Sequence, residues 1–331
     1  MKALVYTGPE RVELRDVADP EPQEGESVLE VEAVGICGSD MHAFLGHDAR
    51  RPAPLVLGHE AAGTVVAGPL KGRRVAVNPL VTCGVCEACL EGRANICPDR
   101  QIISMPPREG AFAEKLRMPA RNLLEIPSDF PAEKASLAEP VACGWHAVRL
   151  AGKAGARPLT QARAVVLGGG AIGLGAALVL AHQGVPEIFI AETNPIRHDM
   201  LCAAGPFTVY DPRADSGLAE GSVDLVVDAF GGTATRKAAS ALARAGGVIV
   251  HIGLAEADGG LDVRRMTLQE ITFIGTYTYT VDDYRETLAA IVAGDLGPLD
   301  WIESRPLAAG SEAFADFLQG RTAAAKIVLR P

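Results

Sequence analysis

Residues 164–181 form a run of 18 amino acids that contains no charged residue. This is close to the length of a membrane-spanning helix, which needs about 20 apolar residues. Five of the residues are glycines, however, and three of these are consecutive, Gly168 to Gly170, which would break a helix near its start. A short strand, a glycine turn and a helix therefore explain the run better than a membrane span.

The glycines of this run match the G-x-G-x-x-G pattern of dinucleotide-binding turns. Gly168 permits the tight turn, Gly170 lets the backbone approach a pyrophosphate, and Gly173 lets the helix pack closely on the strand. Ala171 and Ile172 fall in the first turn of the helix, where free N–H groups and the helix dipole favour an anion. A glycine turn without a ligand is the alternative interpretation.

Glu192 follows the next predicted strand and lies 19 residues beyond Gly173. A carboxylate at this sequence separation accepts hydrogen bonds from the ribose hydroxyls of NAD and repels the 2′-phosphate of NADP. Arg197 is the one nearby residue that favours NADP. The sequence therefore predicts NAD as the cofactor.

Strands and helices alternate after about residue 145, which predicts a parallel sheet covered by helices. The predicted strands are Val165–Leu167, Glu187–Ala191, Val223–Asp228, Val248–Ile252 and Thr272–Gly275. The first third instead has short strand-like runs between Gly and Pro turns, which indicates a barrel or sandwich. The fold class is therefore α/β, with an all-β module before a doubly wound sheet.

Four of the seven cysteines lie within 15 residues, as Cys83, Cys86, Cys89 and Cys97. The spacing C-x2-C-x2-C-x7-C suits four thiolates around one tetrahedral zinc with no open position, which is a structural site. An odd number of cysteines in a chain without a signal-like N-terminus argues against a disulfide framework. Four reduced thiols without metal are the alternative.

A second set of possible ligands is dispersed along the chain as Cys37, His59, Glu60 and Glu139. A catalytic zinc takes about three protein ligands and keeps an exchangeable position. A lone Cys or His is more often a packed core residue, and spacing alone does not show that these four meet.

Five segments occur in the order typical of the zinc-dependent medium-chain dehydrogenase/reductase family, which the whole chain resembles. They are GICGSDMH, VLGHEAAG, the four-cysteine array, LAEP and VLGGGAIGLG. His59-Glu60 together with Glu139-Pro140 is most similar to its polyol dehydrogenase branch. The resemblance implies a GroES-like β-barrel domain over residues 1–146, a Rossmann domain over 147–281, and a segment 282–331 that returns to the first domain. The active site would then lie in the cleft between the domains.

The resemblance also implies roles for individual residues. Cys37, His59 and Glu60 would bind the catalytic zinc, and Glu139 would bind the metal or hold its water. Ser39 and His42 correspond to the proton relay of the family, although each also suits a turn or a surface. By the same resemblance Asp40 would hold His59, and Ile252 and Gly253 would contact the cofactor.

Two departures from the polyol pattern concern the substrate. The segment from Ala43 to Leu55 is shorter than usual, and Thr278 stands where sorbitol-type enzymes have an arginine that contacts the polyol. We therefore expect an NAD-dependent oxidation of a secondary alcohol in a polyol, sugar or sugar derivative. The alternatives are a dehydrogenase of simple secondary alcohols or hydroxy amino acids, and a zinc-stabilised NAD-binding sensor without turnover.

The composition excludes other classes of partner. Lys and Arg number 31 against 41 Asp and Glu, which gives a net charge of −10 and argues against nucleic acid and anionic membranes. We expect a cytoplasmic protein with a small-molecule substrate. The resemblance adds a homo-oligomer, a dimer or a tetramer.

Overall fold

The computed structural model describes residues 1–214 and 217–331, which form two compact units. Unit 1 consists of Met1–Glu139, Thr280–Ala293 and Ile302–Pro331. Unit 2 consists of Pro140–Tyr279 and Gly294–Trp301. The chain thus leaves unit 1 directly after Glu139 and re-enters it twice. The domain boundaries expected from the sequence stay predictions.

Strands dominate unit 1 among the described residues, and helices alternate with strands in unit 2. The strands of unit 1 are β1 Lys2–Gly8, β2 Arg11–Asp16, β3 Glu26–Gly35, β4 Leu55–Val56, β5 Glu60–Ala67, β6 Arg74–Val77, β7 Leu80–Val81, β8 Gln101–Ile102, β9 Lys115–Pro119, β10 Leu123–Glu125, β17 Ile302–Pro306 and β18 Lys326–Arg330. Those of unit 2 are β11 Arg163–Leu167, β12 Glu187–Ala191, β13 Thr208–Tyr210, β14 Val223–Asp228, β15 Ala243–His251 and β16 Thr272–Gly275. The helices of the chain are α1 Gly38–Phe44, α2 Glu87–Leu90, α3 Ala132–Ser136, α4 Ala138–Ala154, α5 Ala171–His182, α6 His198–Ala204, α7 Thr233–Leu242, α8 Val263–Leu268, α9 Val281–Ala293 and α10 Gly310–Leu318.

The sheet of unit 2 is parallel, with the strand order β13-β12-β11-β14-β15-β16. Numbered within the unit this order is 3-2-1-4-5-6, that of the Rossmann fold. Its strands are rich in Val, Ile and Leu because both faces of a parallel sheet are normally covered. The carboxyl ends of β11 and β14, where the order reverses, are the expected place for a ligand.

The largest sheet of unit 1 is built around β3, which pairs with β5, β9 and β18. Nearly every residue of β3 is buried, because it has partners on both sides. The core of this unit includes the aromatic side chains of Tyr6, Phe44, Phe112 and Phe314. Phe112 and Phe314 meet edge to face there, with ring centroids 5.8 Å apart.

The uncharged run 164–181 is divided between β11, a glycine turn and α5, as the sequence predicts. Within the described ranges, no helix is long and apolar enough to cross a membrane.

Candidate functional site

Cys37, His59 and Glu60 meet in unit 1, with one ligand atom from each within 4.8 Å of the others. Cys37 is the N-cap of α1, directly after β3, and Glu60 begins β5. The antiparallel pairing of β3 with β5 places Glu60 opposite Gly35, two residues before Cys37. Sheet register therefore brings together residues that are 22 and 23 positions apart in the sequence.

Asp40 links the two segments that carry these residues. Its carboxylate accepts hydrogen bonds from the N–H of Cys37 (3.0 Å) and the N–H of Gly58 (3.2 Å). Its Oδ1 also lies 3.6 Å from Nδ1 of His59. Because Nδ1 faces Asp40, the other ring nitrogen remains for a metal, an arrangement that fixes the ring and its tautomer.

The electrostatics of this cluster favour charge separation. Burial alone would lower the pKa of His59, but Asp40 and the Cys37 side chain outweigh it and hold that pKa well above its usual value. Burial would likewise raise the pKa of Asp40, yet His59 and Arg51 keep it lowered. Asp40 is therefore an ionised partner for His59 near neutral pH.

Glu60 forms a fully buried ion pair with a residue near the end of the chain. Its Oε1 accepts a hydrogen bond from Lys326 Nζ (2.7 Å), which also donates to the carbonyl of Ile36 (2.9 Å). Burial would lower the pKa of Lys326, but the charges of Glu60 and Cys37 outweigh it and raise that pKa. Lys326 is thus a cation beneath the cluster. Sequence reasoning missed it because it lies 266 positions from Glu60 along the chain.

The donor set suits zinc. A thiolate, an imidazole and a carboxylate are the ligand types that catalytic zinc takes, at about 2.0–2.3 Å from the ion. Glu60 Oε2 is buried and has no hydrogen-bond partner among the described residues, so it is an open donor beside Cys37 and His59. Glu139 is buried in the same unit but falls outside this group of atoms. Its charge acts on Lys326 and Tyr284, and its role at the metal stays a prediction.

Ser39 and His42 lie on α1, the helix that starts at Cys37. Both side chains are half-buried, and Asp40 between them is fully buried. His47 is exposed, as expected for a surface imidazole. The helix therefore carries three candidate functional side chains within four residues.

The four clustered cysteines also converge, with their sulfur atoms within 4.8 Å of one another. Cys83 Sγ lies 3.9 Å from Cys89 Sγ and 3.6 Å from Cys97 Sγ. A tetrahedral zinc with Zn–S bonds of about 2.3 Å requires S···S separations of about 3.8 Å. These distances fit a closed, structural site.

The thiols of this array differ in their acidity. Backbone N–H groups of Val85 and Cys86 lower the pKa of Cys83 to about 6. A backbone hydrogen bond from Cys89 lowers the pKa of Cys86, but burial and the neighbouring thiols outweigh it and raise that pKa to about 12. Binding a metal to all four would therefore release protons.

The glycine turn of unit 2 has the geometry of an anion cradle. Gly168 has φ +103°, which side chains rarely allow, and a Cβ on Gly173 would overlap the carbonyl of Gly168. Gly170 is the N-cap of α5 without any side-chain cap, and a Cβ there would project into open space. The amides of the first helical turn are therefore accessible to a pyrophosphate.

Glu192 is held at this turn by two backbone amides. Gly169 N–H donates to its Oε2 (3.0 Å) and Asn194 N–H to its Oε1 (2.7 Å). Nη1 of Arg197 lies 3.8 Å from the same carboxylate. A negative charge is thus fixed beside the glycine turn, with the arginine paired to it.

Ile252 and Gly253 directly follow β15, and both of their N–H groups donate to the carbonyl of Asp228 at the end of β14. The carboxylate of Asp228 accepts hydrogen bonds from the N–H groups of Phe230 and Gly231. Sequence reasoning did not predict that Asp228 organises the loops after β14 and β15. Its position, an acidic residue at the carboxyl end of a central strand, could have indicated this role.

Thr278 has φ +48°, a conformation that a β-branched residue rarely adopts. Its hydroxyl oxygen is buried without a hydrogen-bond partner within residues 1–214 and 217–331. Such strain concentrates at functional sites.

Two family models match the chain. Residues 23–128 match the "Alcohol dehydrogenase GroES-like domain" and residues 171–293 match "Zinc-binding dehydrogenase". These matches confirm the expected fold class, a GroES-like domain combined with a Rossmann-type domain.

Curated relatives and solved structures cover most of the chain. The sorbitol dehydrogenase of Bacillus subtilis is 32% identical over 84% of this chain and 82% of that protein. The L-galactonate-5-dehydrogenase of Escherichia coli is 31% identical over 89% and 88%. A zinc-binding dehydrogenase of Sinorhizobium meliloti, solved with NADP, has a TM-score of 0.88 and 26% identity over 100% of this chain and 99% of that one.

Proposed function

The chain belongs to the zinc-dependent medium-chain dehydrogenase/reductase family, in its polyol dehydrogenase branch, and on that premise we propose that it transfers hydride between NAD and a secondary alcohol of a polyol, sugar or sugar derivative. In the oxidative direction the alcohol loses a hydroxyl proton and a carbon-bound hydride. The products are a ketone, NADH and a proton.

The observation that carries the proposal is the convergence of Cys37, His59 and Glu60 into a buried donor set. A zinc ion held there would supply a Lewis acid that lowers the pKa of an alcohol hydroxyl. Asp40 keeps His59 oriented, and Lys326 keeps one oxygen of Glu60 occupied so that only the other is open.

The hydroxyl proton needs a route to solvent. Ser39 accepts it from the substrate, and His42 hands it on, because an imidazole ring can accept a proton at one nitrogen and donate one from the other. The two side chains are three positions apart on α1 and therefore lie on the same side of that helix. Ser39→Ala should consequently lower kcat.

The cofactor in this proposal is NAD. The Glu192 carboxylate is fixed by the amides of Gly169 and Asn194, so it cannot turn away from a 2′-phosphate without losing both hydrogen bonds. We expect kcat/KM to be higher for NAD than for NADP. Glu192→Gln should reduce the preference for NAD over NADP in kcat/KM, because it removes the negative charge. A higher kcat/KM for NADP than for NAD in the unaltered protein would contradict the assignment.

The substrate class rests on the relatives' names and on the family branch. Sorbitol and L-galactonate are both chains of several hydroxylated carbons. Thr278 replaces the arginine of sorbitol-type enzymes, so we expect a substrate other than sorbitol itself to be preferred.

The experiment that tests the proposal is the initial rate of NADH formation with polyols, sugar acids, sugars and simple secondary alcohols. Turnover of a compound with several hydroxyls would support it. If only simple alcohols or hydroxy amino acids are turned over, they are the substrate class, and the assignment to polyols and sugars is wrong. If a fully metallated protein forms NADH from no compound of the panel, the remaining interpretation is a cofactor-binding protein without turnover.

Matched cysteine variants test the metal assignment. Cys37→Ser should abolish turnover and lower the zinc content from two ions per chain to one. Cys202→Ser, at an exposed cysteine outside both clusters, should change neither quantity. Full activity in the Cys37 variant would overturn the assignment.

We also propose that the protein is cytoplasmic and that it forms a homo-oligomer, a dimer or a tetramer.

A further inference from the structure

Arg51 is a buried cation to which the proposed reaction assigns no role. It is 3% exposed, although arginine is almost never fully buried unless it is paired. It lies in the segment that joins α1 to β4. A buried guanidinium therefore needs an explanation from its contacts.

The guanidinium of Arg51 joins three separate segments of the chain, through two backbone carbonyls and one carboxylate. Its Nη1 donates to the carbonyl of Ser39 (2.9 Å) and to Oδ2 of Asp48 (3.1 Å). Its Nε donates to the carbonyl of Ser104 (3.0 Å). One side chain thus connects the first turn of α1 with the segment after that helix and with a distant loop.

These contacts matter because α1 is too short to be stable by itself and depends on its tertiary contacts. The helix has seven residues, and isolated helices shorter than about 12 residues are marginal in water. A cation near the positive N-terminal end of a helix is electrostatically unfavourable, so attraction to the helix dipole does not explain Arg51. Asp48, with its side chain only 9% exposed, pairs with Arg51 and also with the exposed Arg50 at 2.8 Å. The charge of Arg51 acts on the buried carboxylate of Asp40 as well.

We propose that Arg51 is a positioning residue that holds the first turn of α1, and with it the Ser39 hydroxyl, in the orientation needed for proton transfer. The inference rests on the proposed function, in which Ser39 takes the substrate proton. Arg51 acts through the backbone of Ser39 and does not itself touch the substrate. Asp40 secures Cys37 through its own hydrogen bond, and Arg51 acts on Asp40 only through its charge, so the metal should remain bound when Arg51 is changed.

The first test compares Arg51→Met with Arg74→Met. Arg74 is a similar, largely buried arginine in the same unit that donates to the carbonyls of Ser128 (2.9 Å) and Phe130 (2.7 Å). Both variants should unfold at a lower temperature than the unaltered protein. Only the Arg51 variant should lose kcat, by about ten- to a hundredfold, with zinc content and KM for NAD unchanged.

The decisive test is a double-mutant cycle with Ser39→Ala. If Arg51 acts through Ser39, adding Arg51→Met to Ser39→Ala should change kcat by less than about twofold. If the fall in kcat of the double variant equals the product of the falls in the two single variants, Arg51 acts independently of Ser39. Equal kcat values for Arg51→Met and the unaltered protein would also overturn the proposal.

Arg51→Lys serves if the methionine variant does not fold. Lysine keeps the charge but lacks the planar fork that reaches several acceptors, so kcat should fall less, with the same dependence on Ser39. Unchanged kcat in this variant, or losses that multiply with Ser39→Ala, would contradict the inference. An unaltered protein that turns over nothing would instead refute the proposed function, so the two failures are distinguishable.

Discussion

The side chain of Asp40 holds the candidate metal site together. Cys37 and His59 belong to different segments, and the Asp40 carboxylate contacts the backbone or ring of each. Residues that orient metal ligands in this way are usually as important to the site as the ligands themselves.

Asp40→Asn tests this role. The amide has nearly the same shape but no charge, and its nitrogen cannot accept a hydrogen bond. It therefore cannot serve the Cys37 N–H, the Gly58 N–H and the His59 ring together as the carboxylate does. We expect activity or affinity for the catalytic zinc to fall about ten- to a hundredfold. Zinc analysis after dialysis should give one ion per chain, with the four-cysteine site as the internal control. Two retained ions with full activity would contradict this.

Glu60 depends on the absence of a side chain opposite it. A Cβ on Gly35 would overlap Glu60 Oε2, and it would lie 3.1 Å from Cδ of Lys326. Because the ion pair is fully buried and tightly packed, neither side chain has room to withdraw.

Gly35→Ala should therefore destabilise the protein, whereas Gly38→Ala should not. Overpacking at Gly35 is expected to lower the free energy of unfolding by about 1–3 kcal/mol. A Cβ on Gly38 meets nothing within 4 Å, so that variant should stay within about 1 kcal/mol. Denaturant unfolding of both variants is the measurement. Equal stabilities would mean that Glu60 and Lys326 rearrange freely.

At the scale of elements, the lobe of residues 83–97 has little core of its own. Its helix α2 has four residues, and the side chains of Val85 and Leu90 are 77% and 76% exposed. Hydrophobic burial therefore contributes little to its fold. Metal binding is the remaining source of folding free energy.

Replacing Cys97 with serine should unfold this lobe locally. We expect the loss of one zinc ion and faster tryptic cleavage after Arg93 and Arg100, because the lobe no longer closes around a metal. Cys202→Ser is the control and should match the unaltered protein. Unchanged cleavage in a zinc-depleted Cys97 variant would show that the lobe folds without metal.

At the scale of the molecule, segments distant in sequence complete unit 1. Helix α9 enters this unit after the whole of the parallel sheet has been built. From that helix the hydroxyl of Tyr284 donates to the carbonyl of Val77 (2.8 Å), across 207 positions and with both residues buried.

Tyr284→Phe should lower the free energy of unfolding by about 1–3 kcal/mol, because the buried carbonyl of Val77 is left without this donor. Denaturant unfolding is the measurement. The free energy of unfolding should fall with denaturant concentration at an unchanged slope, because the folded and unfolded states keep their compactness. No loss of stability would mean that water or another donor replaces the hydroxyl.

Predictions from the sequence agree with the structure where a pattern is local and dense. The strands at 187–191 and 223–228 have the predicted bounds, because buried parallel strands are continuous apolar runs. The strand at 272–275, at the edge of the sheet, also has its predicted bounds, although none of its residues is buried. Strand β2 and helix α1 were missed. Five of the six β2 side chains are not buried, and α1 is too short to show a helical period.

The sequence by itself determined the glycine turn before α5 and the four-cysteine array, because within a few residues the covalent chain limits how far apart the groups can lie. The tertiary structure decided that Cys37, His59 and Glu60 meet, and that Lys326 lies beneath them. It also placed the guanidinium of Arg51 against the carbonyl of Ser39. Over tens or hundreds of residues, strand register and packing set the distance between two side chains, and neither can be deduced from spacing along the chain.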